Sequence, residues 1–391
     1  MSINFQQIDA IQFLTEFWQK KPLLIRDALP GFTNILSPDE LAGLSMEKDI
    51  ESRMVFSTPN KPPFWHLKKG PFLENDFKQL PPTHWTLLVQ GVDCVIPELA
   101  LLFDHFNFIP QWRVDDLMIS YASEHGSVGP HYDHYDVFLY QAKGSRKWSL
   151  TTQDCHEGNA LPDVPLRIMK DFKIEEEYIL EEGDMLYLPP HIGHYGTAIS
   201  KDCMTYSFGY RSYSARELWD SYGDYCAESD KSSVYYRDPN WSVLKQTSEL
   251  PHASYIQAKD TLQKLLNNEP LLKSWFGCFA TQLDPQAESF LPEPVSESME
   301  SFINELSSSH GLMRHPSVRL AYHAQTATQP VTLFINGCEW NTSGVADELI
   351  QQVANQRVLP MDQLRPWLHH PESRQFLFDL WTLQWLYTLE E

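Results

Sequence analysis

Short apolar runs separated by turn residues fill the middle of this 391-residue chain. Residues 137–140 form one run, and a Lys-Gly-Ser turn separates it from another that begins at Arg146. Residues 185–188 form a third run, which ends at the prolines of positions 189 and 190. Apolar runs of this length between turns predict β-strands, and proline ends a strand because it cannot donate to the ladder. The pattern predicts a small β-barrel over residues 85–211.

The apolar spacing becomes helical after the predicted barrel. Leu218, Tyr222 and Tyr225 are spaced i, i+4, i+7, and residues 256–266 carry a second helical pattern. Residues 284–296 are polar and rich in proline, a composition that buries little surface. They therefore predict a linker, whereas a separate proline-rich stretch at 60–64 predicts a loop in the N-terminal part.

The last third of the chain predicts a small domain of helices with a short β-wing. Helical patterns surround residues 302–306 and 345–353, and residues 331–335 predict a strand. Ser373 is the predicted N-cap of the last helix. The apolar stripe of that helix is formed by Phe376, Leu380, Leu383 and Tyr387. The whole chain is thus divided into an N-terminal buttress (1–84), the barrel (85–211), a helical region (212–283), a linker (284–298) and a C-terminal domain (299–391).

A candidate metal site lies in the segment before the first of these apolar runs. His131 and Asp133 are two residues apart, so both side chains share one face of a strand. His194, after the strand at 185–188, can supply a second imidazole. Two histidines and one carboxylate with open positions opposite are diagnostic of non-haem Fe(II) oxygenases. A polar strand end is the alternative interpretation of the His-x-Asp triplet alone.

Several histidines near the motif compete for the place of the third ligand. The alternatives are His125, His134, His156 and His191. A regular strand would place His134 on the face opposite His131, and His191 directly follows the two prolines, as a loop residue would. We favour His194 because Gly193 before it permits a close approach of the backbone to a metal site.

These motifs resemble those of the Jumonji-C ribosomal oxygenases, in particular the bacterial branch that hydroxylates an arginine of the large-subunit ribosomal protein L-sixteen. The resemblance rests on residues 131–148, 183–194 and 206–211, and extends to 17–26 and 112–120. It implies an α+β fold with a double-stranded β-helix (jelly-roll, cupin) core, flanking helices, a helical dimerisation region and a winged-helix-like C-terminal domain.

The resemblance also implies Fe(II), 2-oxoglutarate and dioxygen as cofactor and co-substrates. Arg146 suits the far carboxylate of 2-oxoglutarate, because a guanidinium offers two parallel hydrogen bonds that Lys147 could not reproduce. Ser120 occupies the place of a carboxylate-binding serine in the family pattern. An exposed hairpin charge is the alternative interpretation of Arg146.

The family's arginine pocket maps onto four positions of this chain. Asp116 would bind the guanidinium, Met118 and Tyr135 would flank the aliphatic stem, and Ser207 would add a polar contact. The implied reaction is hydroxylation of an arginine β-carbon, with release of succinate and carbon dioxide. The alternatives are a turn-capping role for Asp116 with Met118 and Tyr135 in the core, the same chemistry on a histidine or lysine, or a metal-binding cupin without enzymatic activity.

Composition narrows the choice of partner. The chain has 30 Lys and Arg against 52 Asp and Glu, a formal net charge of -22. Such a field attracts cationic partners and repels nucleic acid, so a basic ribosomal protein is expected as substrate and direct nucleic-acid binding is not. The six cysteines include no Cys-x-x-Cys pair, which predicts reduced thiols. Without a signal-like or bilayer-spanning run, a cytoplasmic protein with no membrane contact is expected. The family resemblance, and not the residue pattern, implies a homodimer.

Overall fold

The computed structural model describes residues 3–58, 64–162, 164, 166–228, 234–239, 248–324 and 330–389. Most of the predicted proline-rich loop, residues 60–63, lies outside this part. Two compact units are present, one formed by Met1–Ser212, Leu283–Val318 and Asn355–Glu391, the other by Tyr213–Gln282 and Arg319–Ala354. The domain boundaries given by sequence patterning stay predictions.

Two antiparallel sheets form the centre of the first unit. Among the described residues the larger has eight strands, in the spatial order β1 (Leu23–Ile25), β10 (Met185–Leu188), β7 (Asp136–Lys143), β12 (Cys203–Tyr210), β5 (Val114–Ala122), β4 (Trp85–Val89), β2 (Ser52–Ser57) and β3 (Trp65–Lys69). The smaller has four described strands, in the order β6 (His131–Tyr132), β11 (Gly193–Ala198), β8 (Arg146–Thr151) and β9 (Glu176–Leu180). The apolar runs before and after the Lys-Gly-Ser turn are β7 and the start of β8, as predicted.

Aromatic side chains cover one face of the larger sheet. Helix α1 (Ala10–Glu16) begins at Asp9, whose carboxylate accepts from the Gln12 backbone N–H. Its Phe13 is fully buried, with its ring centroid 5.6 Å from that of Phe138 and 4.9 Å from that of Tyr187. Further helices of the N-terminal half are α2 (Pro38–Leu44), α3 (Glu74–Lys78) and α4 (Pro97–Ala100). Packing on this face leaves the opposite face of the sheet free to line a cavity.

The remainder of the first unit comes from the C-terminal part of the chain. Its elements are α8 (Pro285–Ser289), α9 (Met299–Ser308), α11 (Met361–Leu364), α12 (Pro371–Thr382) and a sheet of β17 (Val358–Pro360), β13 (Gly311–Arg314) and β18 (Leu386–Thr388). Helix α8 lies within the predicted linker, where Asp284 caps it and Ala287 is buried. That part of the segment is therefore ordered and packed.

The last helix differs from its prediction at both ends. It begins at Pro371, so Ser373 is a buried residue of the first turn and not the N-cap. Proline favours this position because its fixed φ suits a helix and its missing N–H is not needed there. Phe376 and Leu380 form the buried stripe as predicted, but the helix ends before Leu383 and Tyr387 lies in β18. A left-handed Gln384, with φ of 57°, turns the chain between them.

The second unit packs helices on a small antiparallel sheet. Its elements are α5 (Ala215–Glu228), α6 (His252–Leu266), α7 (Glu269–Thr281), most of α10 (Asp347–Asn355), β14 (Leu320–His323), β15 (Thr332–Ile335) and β16 (Cys338–Trp340). A Cβ at Gly277 would lie 2.4 Å from the Phe334 ring, so glycine allows α7 to approach the sheet. The helical patterns predicted at 218–225 and 256–266 are confirmed as α5 and α6.

Two further sequence expectations concern the chain as a whole. All six cysteines are described and none forms a disulfide, as predicted. No helix in the described part is both long and apolar enough to cross a bilayer.

Candidate metal centre and cavity

Strand pairing brings the three predicted metal ligands together. His131 of β6 and His194 of β11 are direct partners in the antiparallel ladder, and Asp133 follows β6 immediately. The His194 Nε2 lies 3.6 Å and the His131 Nε2 4.0 Å from Asp133 Oδ2. One donor atom from each of the three residues lies within 4.8 Å of the others, and no other such cluster of three or more was found among the described residues.

Backbone carbonyls fix both imidazoles. His131 Nδ1 lies 2.9 Å from the Gly129 carbonyl oxygen, and His194 Nδ1 lies 3.0 Å from that of Ile192. Since a carbonyl only accepts, each Nδ1 carries the proton and each Nε2 keeps its lone pair toward Asp133. Burial, with the nearby His131, lowers the pKa of His194 to about 4, so its imidazole is neutral at pH 7. This donor set fits a divalent metal ion.

The remaining histidines near the cluster are placed differently. His191 lies in the loop before β11, with a left-handed φ of 65° and an exposed side chain whose ring is 5.0 Å from that of His134. The predicted role of Gly193 beside the metal is wrong, because a Cβ on Gly193 would meet the Thr151 methyl at 2.6 Å, with Cys155 also close. The glycine therefore allows β11 to pack against β8, and its small size does not serve the metal site.

A cavity of about 880 Å³ adjoins the cluster and is bounded by both sheets. Its lining includes every residue predicted for the site: His131, Asp133, His194, Arg146, Ser120, Asp116, Met118, Tyr135 and Ser207. Ser120 pairs with Thr205 across β5 and β12, and Met118 pairs with Ser207 one step along the same face. Tyr135 lines the cavity but is 38% exposed, so its side chain is only partly covered. The structure thus brings the predicted residues together in one cavity.

Arg146 is buried in the wall of this cavity, with 3% of its surface exposed. Its Nε and Nη2 atoms have no hydrogen-bond partner, although a buried guanidinium without partners is costly. The Trp148 ring lies 5.6 Å from the guanidinium carbon and 5.8 Å from the His194 ring. A buried, unpaired guanidinium near the metal cluster fits the carboxylate of an acidic co-substrate. An exposed hairpin charge is excluded.

Asp116 is a partly buried acidic residue of the same cavity. Its Oδ2 accepts from the Gln90 side-chain amide at 2.6 Å and from the Gly91 backbone N–H at 3.0 Å. Burial, with smaller contributions from Asp115 and Asp93, raises the pKa of Asp116 to about 7, although the two donors act to lower it. A Cβ at Gly209 would come within 3.2 Å of Asp116 Oδ1, so glycine keeps that side of the carboxylate uncrowded.

Sequence reasoning missed three polar residues of the lining. Trp148 Nε1 and Thr86 Oγ1 are buried without hydrogen-bond partners, and Gln90 holds Asp116. Trp148 could have been found, because it is two residues from Arg146 on the same strand and shares its face. Thr86 and Gln90 are brought in by the pairing of β4 with β5, which local sequence does not reveal.

Comparison with known proteins identifies the fold and its chemistry. The chain matches the family models "JmjC domain" over residues 101–218 and "ROXA-like winged helix" over residues 264–387. It is 35% identical to the Escherichia coli ribosomal protein uL16 3-hydroxylase over 295 residues, 74% of this chain and 76% of that protein. It is 41% identical to a probable ribosomal oxygenase of Haemophilus influenzae over 51% of this chain, but spans only 48% of that protein.

A solved structure matches over nearly the full length. The E. coli ribosomal oxygenase YcfD in complex with cobalt and 2-oxoglutarate superposes with a TM-score of 0.82 at 28% identity, covering 99% of both chains. The predicted double-stranded β-helix core and winged-helix-like C-terminal domain are confirmed. The chain belongs to the JmjC ribosomal oxygenases and is a 2-oxoglutarate-dependent dioxygenase that uses iron.

Proposed function

We propose that this enzyme hydroxylates the β-carbon of an arginine in a basic protein of the large ribosomal subunit, with uL16 as the expected substrate. The observation that carries this proposal is the partly buried Asp116 carboxylate, which lines the same cavity as the His-Asp-His cluster. Withdrawing a carboxylate from water is costly without a cationic partner, and a guanidinium is a cation with several N–H donors that can pair with the open Oδ1. The net charge of -22 favours encounter with a basic protein.

We assign a role to each residue on this basis. His131, Asp133 and His194 hold the iron, and Arg146 with Ser120 holds the far carboxylate of 2-oxoglutarate. Asp116 pairs with the substrate guanidinium, Met118 and Tyr135 flank its aliphatic stem, and Ser207 adds a polar contact. Bound iron supplies the oxidising chemistry, in which dioxygen gives one oxygen atom to the arginine and one to the succinate formed from 2-oxoglutarate, with release of carbon dioxide.

The walls of the cavity orient the substrate for this reaction. Holding both ends of the arginine side chain places its β-carbon at a fixed depth, and fixed orientation of the reacting atoms lowers the barrier. A lysine ammonium is more strongly hydrated than a guanidinium, so bringing it into a partly buried site costs more, and a histidine side chain is shorter than that of arginine. The cavity around Asp116 therefore favours an arginine side chain over lysine and histidine.

Mass spectrometry tests the proposed reaction. Purified enzyme with iron, ascorbate and 2-oxoglutarate is expected to add one oxygen atom to uL16 from the same organism. Fragment ions should place that oxygen on an arginine. A deletion strain is expected to lack the same modification. Oxygen on a histidine, loss of a lysine methyl group or no 2-oxoglutarate turnover at all would each contradict the assignment.

Arg146→Lys is expected to raise the KM for 2-oxoglutarate by more than about tenfold, because lysine is a point charge without the bidentate fork. The KM for the substrate peptide is expected to change little. The measurement is succinate release against 2-oxoglutarate concentration. Lys147→Arg is the matched control, since Lys147 points outward to Glu177 at 3.0 Å and should leave both constants unchanged. An unchanged requirement in Arg146→Lys would remove Arg146 from the co-substrate site.

We also propose a cytoplasmic homodimer that uses helix α6. None of the residues of α6 is buried, and Tyr255, Leu262 and Leu266 fall on one face at helical spacing. Their exposures of 62%, 48% and 39% are high for such residues, and contiguous apolar surface marks interaction sites. A second copy presents the same stripe and can cover it symmetrically.

Leu262→Glu is expected to convert the dimer into a monomer, because it places a charge in each copy of the stripe. Light scattering after size-exclusion chromatography measures the mass. Lys264→Glu, on the opposite face of α6, serves as the control and should remain dimeric. A monomeric wild-type protein would contradict the proposal directly.

A further inference from the structure

The short helix α8 of the first unit packs against the turn at residues 90–91. Asp284 caps α8 by accepting from the Ala287 backbone N–H at 2.8 Å. The same Asp284 lies 3.5 Å from Arg211, whose Nε is 2.8 Å from Asp115, the neighbour of Asp116 in β5. Arg211 thus links α8 to β5, the strand that carries Asp116.

Gln286 makes a second contact between α8 and this part of the chain. Its side-chain amide donates to the Gln90 carbonyl oxygen at 3.0 Å. A Cβ at position 91 would lie 2.7 Å from that amide nitrogen, and Gly91 has a left-handed φ of 61°, so both space and conformation require glycine. The turn at 90–91 is therefore fixed from outside by α8 and faces Asp116 on its inner side.

The inner side of this turn supplies both donors to Asp116. Gln90 Nε2 and the Gly91 N–H converge on Oδ2, while Oδ1 lies beside Gly209 in the cavity lining. One oxygen is therefore anchored and the other can receive a ligand. Two donors on one oxygen also offset part of the cost of burying a carboxylate.

We propose that Gln90 and Gln286 are positioning residues for the substrate arginine, with α8 holding the turn that orients the Asp116 carboxylate. This inference rests on the proposed function of Asp116 as the guanidinium partner. It assigns a role in substrate recognition to a segment that follows the barrel by about seventy residues of chain. Supporting groups of this kind fix the orientation of the residues that touch the ligand.

Desolvation and the charges around Asp116 make the arrangement sensitive to pH. Desolvation contributes most to its raised pKa, followed by Asp115 and then Asp93, and Arg211 pairs with Asp115 on the outer side. Arg53, near Met118 at 3.9 Å, and the Tyr135 hydroxyl face it from across the cavity. Because only the ionised carboxylate pairs fully with a guanidinium, kcat/KM for the peptide is expected to rise with pH through about 7.

Gln90→Leu and Gln286→Leu test the inference by steady-state kinetics with an arginine peptide. We expect the peptide KM to rise about tenfold for Gln90→Leu, which loses a hydrogen bond to the Asp116 carboxylate. We expect about a threefold rise for Gln286→Leu, which loses a hydrogen bond to the Gln90 backbone. The kcat and the KM for 2-oxoglutarate should stay within about twofold of wild type. The pH midpoint of kcat/KM should move up by about one unit in Gln90→Leu, because a donor to the charged form is lost.

Two controls separate positioning from a general loss of structure. Glu288→Gln changes an exposed residue of the same helix and should leave every constant unchanged. Gln286→Ala keeps a good helix former and replaces Gln286→Leu if the latter folds poorly. Equal changes in peptide KM, 2-oxoglutarate KM and kcat, without a shift of the pH midpoint, would show only structural damage and overturn the inference.

Asp116→Asn, assayed alongside, separates this inference from the proposed function. Peptide binding lost in Asp116→Asn but unchanged in both glutamine variants would refute the role of α8 and leave the arginine pocket standing. An effect of Gln90→Leu without one of Gln286→Leu or Gln286→Ala would refute the part played by α8. Peptide binding retained in Asp116→Asn would overturn the proposed function itself.

Discussion

Asp133→Ala is expected to reduce hydroxylation by more than about a hundredfold. Loss of a metal ligand should reduce activity more than loss of a residue that only hydrogen-bonds to a ligand. Asp133 supplies the negative charge that imidazole ligands cannot, and its carboxylate lies within 4.0 Å of both histidines. The fold should be retained because the Asp133 side chain is partly exposed, at 21%. Manganese binding by calorimetry and succinate release measure the two effects.

His134→Ala provides the matched control for Asp133→Ala and for the equivalent His131→Ala. His134 is an exposed imidazole one residue beyond Asp133 and lies outside the metal cluster. Its removal should leave metal affinity and turnover close to wild type. Iron-dependent turnover that survived in Asp133→Ala, or that was lost equally in His134→Ala, would show that the metal is held elsewhere.

The local part of this site could be predicted from sequence, because strand periodicity alone puts His131 and Asp133 on one face. The third ligand depends on long-range pairing, since His194 opposes His131 only through the register of β11 with β6. Local sequence argued for His194 over His191 through Gly193, and that argument was wrong although it chose the residue that the structure places in the cluster. Register is set by the packed barrel, which short motifs do not encode.

The same limit explains what was missed around Asp116. A proline-rich polar segment predicts a linker, yet α8 forms there because Asp284 caps it and Ala287 is small enough to be buried. Its hydrogen bond to Gln90 joins residues 196 positions apart, and no local pattern predicts such a contact. Tertiary packing also decides the environment of Arg146. A charged residue beside a hairpin turn is usually exposed, but here the surrounding strands bury it.

Asp116→Asn is expected to raise the peptide KM about a hundredfold, because it removes the charge that pairs with the guanidinium in a partly buried site. Asparagine keeps an acceptor for Gln90 and Gly91, so the pocket should retain its shape. Turnover of 2-oxoglutarate without peptide should persist, since Asp116 is not one of the metal-cluster residues. Peptide titrations of succinate release measure both, and Asp224→Asn, an exposed site on α5, is the control.

The same substitution is expected to stabilise the folded protein above neutral pH. Burial, Asp115 and Asp93 raise the pKa of Asp116 from 3.8 to about 7, so the folded state keeps a proton that the unfolded state has already released. The stability contributed by the protonated carboxyl is complete below about pH 4 and is lost as pH rises toward 7. The amide introduced by Asp116→Asn does not titrate. The free energy of unfolding of the variant should therefore exceed that of wild type by an amount that grows across that window, to at most on the order of 4 kcal/mol at pH 8.

Urea unfolding at pH 5 and pH 8 measures this difference. A wild type as stable as Asp116→Asn at pH 8 would show that ionised Asp116 does not destabilise the fold. Ionised Asp116 lowers the stability of the free enzyme, and pairing with the substrate guanidinium removes that destabilisation. The same carboxylate therefore favours binding of a cationic side chain.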